Sequence, residues 1–131
     1  MTHSWPIRVY YEDVDLAGIV YYANYLRFIE RARSEMVREA GIDQVAMREA
    51  GTVFAVAKVE ADYLRPARYD DRLDVLTETV SAGPVRLVMD QEVRRGEELL
   101  FRARVKVVCM DLDGRPKRLP EAVRNLASTE P

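Results

Sequence analysis

Two acidic residues set two apart, Asp13 and Asp15, are followed by Gly18 and then by a run whose apolar residues recur at spacings of three and four. These are the residues of the chain best placed to do chemistry. From Tyr10 to Ala40 the sequence reads as a strand that breaks into a loop and becomes a long amphipathic helix. That order sets a carboxylate beside a helix N-terminus, where unpaired N–H groups and a partial positive charge polarise a carbonyl as readily as they hold an anion. A carboxylate aimed at the same carbonyl attacks it or activates a water to do so. The chemistry indicated is acyl transfer, specifically hydrolysis.

The elements that must position this loop follow from periodicity. Trp5 to Glu12 alternates as a strand, with Ile7, Val9 and Tyr11 against Arg8 and Tyr10. A helix is predicted over Tyr22 to Ala40, with Tyr22, Tyr25, Ile29, Ala32 and Met36 on its apolar face and Gly41 ending it. Asp43 is the expected N-cap of a short second helix through about Glu49, closed by Gly51. Four strands follow: Val53 to Tyr63, Arg72 to Ala82, Val85 to Arg94 and Leu99 to Asp111, separated by the Arg65 to Asp71 loop, Gly83-Pro84 and Gly96. They read as an antiparallel meander, and Glu121 to Leu126 as a terminal helical turn. Only one face of the strands is strongly apolar, so one long helix wrapped by a curved five-stranded sheet satisfies the pattern. The sheet edges then need protection, and pairing of edge strands in a dimer supplies it.

A chain of 131 residues, 48% apolar and 32% charged, is expected to form one domain over 1–131 with a single core. The net charge of −2 comes from acids and bases mixed along the chain, which implies no broad nucleic-acid surface. The single cysteine, Cys109, lies in an alternating apolar run and reads as a buried thiol. No stretch approaches the ~18 apolar residues of a membrane span, and a soluble cytoplasmic protein is expected.

Elimination narrows the chemistry. The single histidine, His3, stands ahead of the first strand, which argues against Ser-His-Asp and Cys-His arrangements. One His and one Cys are too few for an ordinary zinc site. No GxGxxG, GxxxxGK[ST] or GxSxG occurs. Carboxylates, tyrosines and backbone N–H groups remain. Asp15, ahead of the apolar Ile19 to Tyr22 run that would partly desolvate it, is the first candidate; the alternative is that it merely caps a turn. Asp13 reads as a turn or surface residue. Gly18 is either a turn glycine or a site of close ligand approach.

The run from Tyr11 to Tyr25, YEDVDLAGIVYYANY, continuing through Glu30-Arg31-Ala32-Arg33-Ser34-Glu35, closely resembles the signature of hotdog-fold acyl-CoA thioesterases. The nearest branch is the 4-hydroxybenzoyl-CoA and Tol-Pal-associated acyl-CoA thioesterase group, and Tyr63 to Leu73 is similar to its second recurrent segment. The resemblance implies that Asp15 is the catalytic aspartate, as nucleophile or as general base, and that the backbone N–H near Tyr22 is the oxyanion donor. Tol-Pal-associated members commonly carry histidine where this chain has Tyr22, whereas hydroxybenzoyl members have tyrosine.

The resemblance further implies a hotdog fold, a homodimer or homotetramer with the site at a subunit interface, and a CoA thioester as substrate with no metal or redox cofactor. Gly18 and Tyr25 are the expected substrate contacts, Tyr25 being equally readable as a core aromatic. Lys117 and Arg118 are candidate partners for the CoA phosphates. An acyl carrier protein thioesterase and a non-catalytic acyl-ligand binder or envelope-machinery partner on the same scaffold are the alternatives.

Overall fold

The computed structural model describes residues 2–127, so both ends of the expected 1–131 domain lie outside the described residues. Five antiparallel strands form one sheet: β1 (Thr2–Arg8), β2 (Val53–Tyr63), β3 (Arg72–Ala82), β4 (Arg86–Arg95) and β5 (Glu98–Met110), in the order β1-β3-β4-β5-β2. The meander is therefore β3 to β5 only. β2 crosses to the far edge and pairs with β5, Phe54 opposite Cys109 and Tyr63 opposite Phe101. A register shift between Val56 and Lys58 keeps Phe54, Val56, Val59, Ala61 and Tyr63 on the face that also carries Cys109, Val107, Val105, Ala103 and Phe101. Lys58, Glu60 and Asp62 fall on the other face, where Asp62 pairs with Arg102 at 3.0 Å.

The first strand starts and stops earlier than alternation predicts. Tyr10 N–H donates to Asp13 Oδ2 at 2.7 Å, and this bond bends Tyr11–Asp13 into a 3-10 turn. Val9 stays fully buried, which is why the alternation runs on past the strand.

The helix α1 spans Asn24–Glu39, with Ala23 as N-cap. Tyr25, Phe28, Ile29, Ala32, Met36 and Val37 are its buried apolar residues, each large side chain contributing roughly 1.5–3 kcal/mol by leaving water. Tyr22 precedes the helix and is 62% exposed, so it does not belong to the core face predicted for it. Nor is α1 a central helix enclosed by the sheet. It packs chiefly on β3, β1 and β4, and the inner face of β2 is left open, with Val56, Val59 and Tyr63 exposed. Gly41, at φ 84°, ends α1, and Asp43 caps α2 (Gln44–Glu49) by accepting from the Val45 and Ala46 N–H groups. A short α3 (Glu121–Arg124) runs into a 3-10 turn over Asn125–Ala127, and Val123 is buried in the core.

Candidate active site

The loop between the 3-10 turn and α1 is a miniature hairpin. Val14 bridges Val20, Asp15 N–H donates to Ile19 O at 2.9 Å, and Gly18 N–H donates to Asp15 O at 2.9 Å. Gly18 has φ 81° and nothing within 4 Å of a Cβ built on it, so what the turn demands of this position is its backbone conformation and not room. The Asp15 carboxylate accepts from Ala17 N–H at 2.9 Å, an Asx turn, and is exposed beside a fully exposed Leu16. The apolar run after it does not desolvate it within one chain: Val20 turns inward, and Tyr21 and Tyr22 lie at the surface.

Asp13 is the buried carboxylate of the pair, 7% exposed. Beyond holding Tyr10, its backbone carbonyl accepts from Tyr21 N–H at 2.9 Å and from Asn24 Nδ2 at 3.0 Å. Asn24, buried at the first turn of α1, thus ties the helix to the Asp15 loop. Its own N–H donates to Tyr21 O at 2.8 Å, and Tyr63 Oη donates to Tyr22 O at 3.0 Å. Two successive peptide planes are pinned through their carbonyls. The N–H groups on the opposite side of those planes belong to Tyr22 and Ala23, and neither has an acceptor among the described residues. These two are the donors best placed for a carbonyl oxygen, one and two residues ahead of the helix.

A cleft of about 300 Å³ opens beside them, lined by Ile19, Val20, Tyr22, Tyr25, Tyr63, Leu64, Arg65 and Pro66. Tyr25 forms its inner wall. Its ring stacks on Phe101 at 4.9 Å and meets Tyr63 edge-on at 5.6 Å. Its Oη accepts from Ala67 N–H at 3.1 Å, and burial pushes the phenol up from its ordinary value, partly offset by that bond. Burial likewise raises the Tyr63 phenol, with the neighbouring Tyr22 adding to the shift. The Arg65 to Asp71 loop buttresses the whole arrangement: Ala67 O accepts from Val20 N–H at 2.8 Å, and Arg95 fixes Asp71 at 2.7 Å. Asp70 takes the left-handed conformation at φ 71° in the same loop, its N–H bonded to Val9 O and its carboxylate to Arg8.

The structure thus brings the Asp15 loop, Gly18, Tyr22 and Tyr25 to one end of the molecule. It does not bring Lys117 and Arg118 there. Lys117 N–H donates to Cys109 O and its Nζ to Gly51 O at 3.2 Å, beside the start of β2, whereas the cleft lies at Tyr63, the end of that strand. The nine steps from Phe54 to Tyr63 span about 30 Å at ~3.3 Å each. Arg118 is exposed, and its carbonyl accepts from the buried Cys109 Sγ at 3.8 Å. Asn24 and Tyr63 are positioning residues to which the sequence reading gave no site role; the visible signals were an Asn at the first turn of an otherwise apolar helix face and, for Tyr63, its place at the head of the second recurrent segment.

Residues 9–126 match the family model of the thioesterase-like superfamily. This chain belongs to that family. The acyl-CoA thioester hydrolase YbgC of Escherichia coli O6:H1 is 44% identical over 121 residues, 91% of this chain and 90% of that protein. The acyl-CoA thioesterase YbgC of Haemophilus influenzae is 39% identical over 123 residues, 92% of this chain and 90% of that protein. A probable thioesterase from Bartonella henselae superposes with a TM-score of 0.88 at 35% identity, covering 92% of this chain and all of that one. Thioesterase-superfamily members of this kind share the hotdog fold, and the five-stranded antiparallel sheet with few helices is that fold.

Proposed function

We propose that this thioesterase-superfamily protein hydrolyses an acyl-CoA thioester to the free acid and CoA, with Asp15 as its catalytic carboxylate. The observation that carries the reading is the Asp15 hairpin set beside two pinned, unbonded N–H groups at the mouth of an apolar cleft. The thioester carbonyl oxygen accepts from the Tyr22 and Ala23 N–H groups, which stabilise it as charge develops. Asp15 removes a proton from the water that attacks the carbonyl carbon, or attacks it directly to form a mixed anhydride that a water then hydrolyses to the free acid and the Asp15 carboxylate. In both routes the attack breaks the C–S bond, and the sulfur leaves as the CoA thiolate and takes up a proton. Gly18 shapes the loop at the carbonyl, and Tyr25 walls the acyl entrance. CoA enters as part of the substrate, and the scheme uses no further cofactor.

The same reading makes the protein a single cytoplasmic hotdog domain that works as a homodimer or homotetramer. β2 is an edge strand with its inner face bare, and pairing two copies along it would wrap the joined sheet around both α1 helices. A second subunit would also carry Lys117 and Arg118 toward its neighbour's cleft, where they meet the CoA phosphates. Among the described residues no helix is long and apolar enough to cross a membrane.

The test is free-thiol release from short, long and aromatic acyl-CoA thioesters, comparing wild type with Asp15→Asn. Asn keeps the Asx turn and removes the charge, so the variant should fold normally and lose about a hundredfold or more in turnover. Equal activity in the two proteins would remove Asp15 from the mechanism.

A further inference from the structure

A second cavity, of about 200 Å³, lies between the later turns of α1 and the start of β2, walled by Val37, Phe54, Val56, Leu87 and Met89. One cation, Arg33, also lines it. Glu30, Arg33 and Val37 follow one another along one side of α1 and face Phe54 and Val56 of β2 across this cavity. This cavity lies at the start of β2 and the Tyr22–Tyr63 cleft at its end, and between them β2 presents the exposed Val56 and Val59.

Arg33 is prepared for a partner that the chain does not supply. Its Nη1 donates to Gln91 Oε1 at 3.0 Å. Gln91, 1% exposed, is locked in that orientation because its Nε2 donates to Ile29 O and Thr77 Oγ1, both at 2.9 Å. A guanidinium has five donors, and among the described residues Arg33 makes this one hydrogen bond and no ion pair. Glu30 shares the cavity but is exposed, and its Oε2 is taken by Ser34 Oγ at 2.6 Å. Burial depresses the affinity of Arg33 for its proton, against a smaller opposing effect of Glu30. A half-buried positive charge in apolar walls with most of its donors idle is stabilised by a carboxylate, which a guanidinium takes bidentately.

Resting on the thioesterase reading, we propose that the cleft and this cavity are the two ends of one trough along α1 and β2 that holds the acyl chain, and that Arg33 binds a carboxylate at its far end, so that the preferred substrates are CoA thioesters of α,ω-dicarboxylic acids. From Asn24 to Arg33 α1 rises about 14 Å at ~1.5 Å per residue. That span calls for an extended chain and not a single aromatic ring.

The experiment compares kcat/KM for pairs of thioesters of equal length, one ending in a methyl group and one in a carboxylate, with wild type, Arg33→Met and Arg33→Lys. Wild type should favour the carboxylate-ended member by about tenfold or more at the matching length. Arg33→Met should bring that ratio to unity or below, and Arg33→Lys, which keeps charge but not the fork, should lie between. A wild type without the preference overturns the proposal, as does a preference that survives in Arg33→Met. So does an Arg33→Met protein that dissociates in sedimentation with its preference intact, since the missing carboxylate then belongs to a second copy of the chain. If neither thioester is turned over, it is the thioesterase reading that fails. Calorimetric titration of free dicarboxylic and fatty acids into wild type and Arg33→Lys then decides the pocket separately: selective binding of the dicarboxylate, weakened by Lys, upholds it, and absence of binding overturns it.

Discussion

Replacing Tyr25 by Phe isolates one hydrogen bond at the centre of the site. The ring can keep its stack on Phe101 and its edge contacts with Phe28 and Tyr63, so packing is almost unchanged. What disappears is the acceptor for Ala67 N–H. Tyr25 is 3% exposed and Ala67 fully buried, so water does not readily take the place of the hydroxyl. A buried donor left without a partner costs about 1–3 kcal/mol, more than the ~1 kcal/mol net worth of an ordinary hydrogen bond. The upper half of that range applies here, about 2–3 kcal/mol. Urea unfolding at fixed protein concentration, followed by circular dichroism, should show the midpoint falling with an unchanged slope. Because Ala67 O also accepts from Val20 N–H, the loosened loop should lower thioester turnover as well. An unchanged urea midpoint would refute the reasoning, because it would mean that Ala67 N–H is either paired elsewhere or wet.

Asn24→Ala removes the tie to Asp13 O and leaves that carbonyl its Tyr21 partner, so stability should fall by about 1 kcal/mol in urea titrations, with kcat reduced more than KM is raised. Arg104 holds the Asp90 carboxyl below its ordinary value through hydrogen bonds at 2.7 and 2.8 Å. A carboxyl lowered by folding gives stability that is present above its unfolded value and lost as pH falls through its folded one. Wild type should therefore lose stability on acidification below about pH 4, and Asp90→Asn should flatten that slope in thermal melts. Val59→Lys places a charge on the bare inner face of β2; sedimentation should show a smaller species than wild type.

Legibility followed the physics of each element. β2 and β3 have the limits that alternation assigns them, and the caps Gly41, Asp43 and Gly51 stand where turn chemistry puts them. The end of β1 was not legible, because the bond from Tyr10 N–H to Asp13 Oδ2 is a three-residue event hidden under a continuing apolar alternation. The place of β2 at the far edge was hidden for a different reason: strand order depends on which partner β5 takes, and periodicity carries no such information. At the site, motif and loop pointed to Asp15, but local sequence assigned burial to the wrong acid of the pair. Asp13 is buried by bonds to Tyr10, Tyr21 and Asn24, two of them made by residues that follow it by eight and eleven positions.

The pinned peptides have a consequence for how this chain tolerates mutation. A donor carried by the main chain is present whatever side chain stands at its position, and only proline takes it away. The side chain of Tyr22 lies at the cleft and is mostly exposed, so in the proposed mechanism it can be exchanged without removing the N–H assigned to the carbonyl. On that mechanism the identity of the side chain at position 22 is free to vary, while the constraint falls on the residues that hold the planes, Asn24 and Tyr63.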